Sequence, residues 1–224
     1  MNVHEIPFEK LNITNRDVLS ELGYGMKNSD PFVEQQIGML LANLAPSVTS
    51  RFTYQIYSGK TEGQSIWVEG TSLDVGSIIS SIMEGATAFA VFAATAGEYL
   101  EKAMKEATNR KDVFEEYLIS AIGSCIVEKT GDYMEGVLQA ELGTLMHTRR
   151  FSPGYCGWPL SDQKKIFHFL GGTPCSIELS EYFLMTPIKS ISGIIGIGEH
   201  VKRNVYGCTV CNLQSCYKRK KRRL

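Results

Sequence analysis

From Pro31 to Leu44 the apolar positions Val33, Ile37, Leu40, Leu41 and Leu44 recur at helical spacing, with Pro31 suited to a first turn and Pro46 stopping the run. This predicts a helix over Pro31–Leu44. The period then changes: Phe52, Tyr54, Ile56 and Tyr57 before Gly59, and Ile66 and Val68 before Gly70, read as two strands joined by a polar turn. Val75, Ile78, Ile79, Ile82 and Met83, with Gly85 just past the end, predict a short helix over residues 73–83. Ala88 to Thr95 is apolar almost throughout and reads as a buried strand. Gly97 opens a helix that runs to Thr108, and Lys111 to Met146 reads as one or two long helices. Gly123, Gly131, Gly136 and Gly143 interrupt that stretch at a cost in helix stability, so close packing or a ligand should explain some of them.

From Arg150 the chain turns loop-like, and Asp162 to Leu170 predicts a further helix ended by Gly171 and Gly172. Strand patterns follow at Glu178–Met185, Ser190–Ile197 and Arg203–Thr209. At the other end, the polar residues before Pro31, broken by Asn12, Asn15, Gly23 and Gly25, carry one short helix from Arg16 to Leu22 and are expected to form an arm outside the core. Separate helical and strand blocks without internal repeats imply an α+β fold, a mainly antiparallel twisted sheet flanked by helices. The expected division is an arm over 1–30, a core over 31–207 and a cysteine-rich basic tail over 208–224.

Composition adds little to this until the tail. With 224 residues and 43% hydrophobic content the chain can bury a real core. Its most apolar runs, Ala86–Ala96 and Ile188–Ile197, are too short and too interrupted to span a membrane. Residues 1–10 carry Glu5 and Glu9 and lack both a basic start and an apolar stretch, so no signal peptide is expected and the cytoplasm is the default location. Six consecutive basic residues, Lys218 to Arg223, sit in a chain of formal net charge −1, which leaves −7 for the remainder. Such a run reads as a solvated end or a means of meeting an acidic partner. A nucleic-acid footprint is disfavoured, because no basic and aromatic patch extends it.

The chemistry concentrates after the long helical stretch. Arg150-Phe151-Ser152-Pro153-Gly154-Tyr155 places a forked donor suited to a carboxylate beside a Pro-Gly turn and a tyrosine ring. It is followed by Pro159 and Gln163, then by Leu179-Ser180-Glu181-Tyr182-Phe183-Leu184-Met185-Thr186-Pro187 and Ser190-Ile191-Ser192-Gly193. These segments resemble, in order and separation, the Arg-x-x-Pro-Gly-Tyr, Leu-Thr-Glu-Ser-Phe-Ala-Met-x-Pro and Ser-Val-Ser-Gly segments of the S-adenosylmethionine-binding activation domain of cobalamin-dependent methionine synthase. The stretch with Val127-Glu128 and Asp132-Tyr133 resembles that family's long helix, whose acidic residue contacts the ligand.

The resemblance covers roughly residues 70 to 207. It implies that Glu128, Arg150, Phe151, Pro153, Gly154 and Tyr155 bind S-adenosylmethionine, with Tyr206 in the place of the family's C-terminal ligand tyrosine. It further implies a stand-alone binding module that supports reductive methylation of cob(II)alamin on a separate methionine synthase or related corrinoid methyltransferase. A flavodoxin-like or ferredoxin-like protein would donate the electron. Cobalamin is expected on the partner chain, since no Asp-x-His-x-x-Gly pattern occurs and His4, His147, His168 and His200 are scattered. Whether the chain counts as an enzyme stays open, because no catalytic dyad is evident and no complete active site is expected. An independent methyltransferase is disfavoured, because Gly193 to Gly198 lacks a Gly-x-Gly-x-x-Gly pattern.

Cys208, Cys211 and Cys216 form Cys-x2-Cys-x4-Cys, a spacing that lets three thiolates converge on zinc or an iron-sulfur cluster with a fourth ligand such as Cys175 or Cys156. The alternative is a set of reduced thiols on a tail, while Cys125 reads as a small core residue. Two competing functions therefore stay open at this point: an iron-sulfur electron-transfer activator of corrinoid proteins, and an interaction protein that docks through its basic tail.

Overall fold

A computed structural model describes residues 2–24 and 29–203. Nine strands and six α-helices occur in these residues: β1 (His4–Pro7), α1 (Asn15–Leu22), α2 (Pro31–Leu44), β2 (Thr49–Glu62), β3 (Ser65–Val68), β4 (Thr71–Leu73), α3 (Gly76–Ile82), β5 (Ala88–Thr95), α4 (Glu98–Asn109), α5 (Val113–Leu142), β6 (Met146–His147), α6 (Gln163–Phe169), β7 (Glu178–Leu179), β8 (Met185–Thr186) and β9 (Ser190–Gly198). Seven strands make one antiparallel sheet in the order β4-β3-β2-β5-β9-β6, with β1 also on β2. The expected α+β architecture is what the chain adopts.

The fourteen-residue β2 organises the sheet. One edge pairs with β5 from Arg51↔Thr95 to Ser58↔Ala88, while the other takes β1 at Phe52 and β3 at Thr61. The central strand β5 is buried on both faces, which explains its nearly continuous apolar run. On one face Ala90, Phe92 and Ala94 join Ile195 and Ile197 of β9 under α5. On the other, Phe89, Val91 and Ala93 join Ile194, Ile79, Trp158 and Ile166. Two hydrophobic cores thus sandwich one sheet, and each fully buried large side chain adds about 1.5–3 kcal/mol.

Helix α5 is one continuous element, where the sequence left one or two open. It packs against α1, α2, α4 and the sheet at once, so Leu118, Ile122, Ile126, Met134 and Leu138 are all buried and no single apolar stripe stands out. Asp112 caps its first turn, accepting the Glu115 backbone N–H at 2.9 Å.

Three expectations are corrected. Residues 2–24 are not an arm outside the core: Ile6, Phe8, Leu11 and Val18 are buried in the α5-side core, and β1 extends the sheet. Glu178–Met185 is not one strand. It is a small hairpin of β7 and β8, turned where Phe183 adopts φ 63°. The helix expected over 73–83 begins only at Gly76, because Thr71–Leu73 pairs with β3 instead. The strand expected over Arg203–Thr209 lies outside the described residues except for Arg203, which is in no regular element.

Candidate ligand site

Residues Glu128, Asp132 and Glu135 follow one another at spacings of four and three along α5 and therefore share one face of the helix. Into that face reaches Arg150, from the chain just after β6. Its Nη1 donates to Glu135 Oε1 at 2.8 Å and to Asp132 Oδ1 at 3.0 Å. Its Nη2 donates to Asp132 Oδ1 at 3.0 Å and to Glu128 Oε2 at 3.1 Å. The other oxygen of Glu135 accepts from Arg203 at 2.6 Å. Burial opposes the Arg150 charge, but Glu135, Asp132 and Glu128 outweigh it and raise the guanidinium's affinity for its proton.

Glycine explains how an arginine comes so close to a helix. A Cβ at Gly131 would lie 2.8 Å from Arg150 Cζ and 3.0 Å from both Nε and Nη1, so only glycine leaves room for the guanidinium against the helix backbone. This accounts for one of the glycines whose cost the sequence left unexplained. The same helix has a second notch at Gly123, where the Lys189 stem lies 2.9 Å from the position a Cβ would take and its ammonium donates to Ser120 and Ser124.

The loop after Arg150 is fixed by backbone bonds. Phe151 exchanges two with Ile194 of β9, Tyr155 N–H donates to Ser152, Trp158 N–H to Tyr155, and Gly154 N–H to Trp158 at 2.8 Å. Below it, Trp158 Nε1 donates at 3.0 Å to buried Asp162, which also accepts from the Asp74 backbone and pairs with Lys165. Tyr155 is left 63% exposed at the tip.

The sequence-derived residues therefore separate. Glu128 and Arg150 meet directly, and Pro153, Gly154 and Tyr155 stand in the loop that continues from Arg150. Phe151 has its side chain buried in the second core, and its backbone pairs with Ile194. Tyr206, Cys208, Cys211 and Cys216 lie outside the described residues. Cys175 is a poor candidate for a metal ligand, since it is buried beneath β5 with its thiol 3.9 Å from the Ala93 carbonyl. Burial pushes its pKa up to about 12, which favours the protonated thiol. Among the described residues no group of three or more His, Cys, Asp or Glu side chains is arranged to hold a metal ion, and no helix is long and apolar enough to cross a membrane.

Glu135 and Arg203 escaped the sequence reading, and Gly131 was marked only as one of four helix glycines in need of a reason. The spacing of Glu128, Asp132 and Glu135 around Gly131, inside an otherwise apolar helix, was the available signal for Glu135 and Gly131. Nothing local marks Arg203.

Fold and site together define an α+β domain in which an acidic helix face grips a half-buried arginine beside a tyrosine-tipped loop. Residues 78–223 match the family model described as vitamin B12 dependent methionine synthase, activation domain, and the chain belongs to that family. Its fold is similar to a crystal structure of the MetH reactivation domain bound to AdoHcy, with a TM-score of 0.64 over 92% of this chain and 81% of that one at 15% identity. No curated protein matches it in sequence.

Proposed function

We propose that this chain binds S-adenosylmethionine and supports the reductive methylation of cob(II)alamin carried by a separate cobalamin-dependent methionine synthase or related corrinoid methyltransferase. The observation that carries the reading is the charge cluster at α5. Two cations, Arg150 and Arg203, face three carboxylates, Glu128, Asp132 and Glu135, and leave one net negative charge. S-adenosylmethionine carries the opposite balance, a sulfonium added to an amino-acid zwitterion. Arg150 suits its carboxylate, the outer carboxylates suit its ammonium and sulfonium, and the Tyr155 ring is free to cover the adenine. AdoHcy, named for the structural relative, is what remains of S-adenosylmethionine once its methyl group has left.

Bound to the partner, cobalamin supplies the cobalt that accepts an electron from a flavodoxin-like or ferredoxin-like donor and then the methyl group. This chain's own residues orient the ligand and balance its charges. The cysteine tail has no part in this reading. Iron and sulfide in anaerobically purified protein would be needed to bring it in.

The functional test combines this protein with a cobalamin-binding methionine synthase module in the cob(II)alamin state, reduced flavodoxin and methyl-labelled S-adenosylmethionine. Loss of the cob(II)alamin absorbance with label on cobalamin, dependent on this chain, is expected. Equal conversion without this chain would contradict the proposal.

A further inference from the structure

The three carboxylates around Arg150 are unequal. Glu128 and Asp132 are 55% and 58% exposed, whereas Glu135 is 2% exposed and divides its two oxygens between Arg150 and Arg203. An exposed carboxylate can turn away into water at little cost. A buried one between two guanidiniums cannot, because leaving any member of such a group unpaired is strongly unfavourable.

We propose that Glu135 is the positioning residue of the ligand arginine, with Gly131 as the seat of the guanidinium and Arg203 as the second cation that holds Glu135 in place. Glu128 and Asp132 are then exchangeable partners. When a zwitterionic amino-acid group arrives, its carboxylate takes the Nη2 side of Arg150 from them, and they turn to its ammonium. The inner bond from Nη1 to Glu135 holds throughout, so the fork does not have to be reoriented on binding, which lowers the cost of association.

The inference rests on the reading of Arg150 as a ligand residue, and the test separates the two. Proton-nitrogen spectra of the Arg150 guanidinium, assigned by their loss in Arg150→Lys, report its immobilisation without any ligand. Separate Nη resonances are expected in the wild-type protein and in Asp132→Asn, and averaged ones in Glu135→Gln and Gly131→Ala. Titration with S-adenosylmethionine should show binding weakened at least about tenfold in those last two variants. Resolved Nη resonances in Glu135→Gln would overturn the positioning role. Averaged resonances with unchanged affinity would instead uphold the positioning and remove Arg150 from the ligand site. Should Glu135→Gln fail to fold, Arg203→Gln, at a position 39% exposed, tests the same link: averaging and weaker binding support it, and spectra and affinity like wild type overturn it.

Discussion

At Gly193 a side chain has nowhere to go: a Cβ would sit 1.9 Å from the Phe151 carbonyl oxygen, the atom that accepts the Ile194 N–H and locks the loop after Arg150 to β9. Gly193→Ala is therefore expected to lose about 3 kcal/mol or more, at the upper end of overpacking costs, and to release the loop. Chemical denaturation in a Trp67→Phe background, with Trp158 fluorescence as the probe, would check it, since Trp158 closes that loop. Unchanged stability would mean that the approach of Phe151 to β9 is wrong. Cys175 offers a second residue-scale outcome. With its pKa raised to about 12, it stays protonated at pH 8 and should resist alkylation in the native protein, reacting only on unfolding. Peptide mapping by mass spectrometry separates it from the other cysteines, and rapid native labelling of Cys175 would contradict its burial.

Among the elements, those with strong internal patterning were legible from sequence. Pro31–Leu44 and Ala88–Thr95 occur with the expected bounds, because a proline start and an unbroken apolar run are local signals. Elements defined by partners were not. β1 is four residues long and has only Ile6 buried, so nothing in its sequence announces a strand until β2 offers an edge to it. The same holds for β4, drawn into the sheet by β3, and for the hairpin of β7 and β8. Ile6→Ala should cost about 2–4 kcal/mol if the N-terminal segment belongs to the core. A loss below about 0.5 kcal/mol in thermal unfolding would restore the picture of an arm, since surface changes fall in that range. At the head of α5, Asp112→Ala should cost about 1 kcal/mol through the lost cap.

Across the whole molecule, the sheet carries a core on each face, and the charged site stands on α5, on the segment that follows β6 and on Arg203 beyond β9. That arrangement decides what was visible in advance. The arginine-to-tyrosine loop is contiguous in sequence and was recognisable by its motif, and Glu128 followed from the resemblance. Glu135 and Arg203 meet only because α5 runs beside the chain leaving β9, a 68-residue separation that no local pattern encodes. Glu135 is buried between two arginines. The outer carboxylates and Tyr155 remain accessible.

The central claim is tested most directly by calorimetric titration of the wild-type protein with S-adenosylmethionine beside Arg150→Lys, which keeps the charge but loses the planar fork. Binding near micromolar, about −8 kcal/mol, weakened at least tenfold in the variant, is the predicted result. No heat from the wild-type protein at ligand concentrations up to about 1 mM, or equal affinity in both proteins, would contradict it.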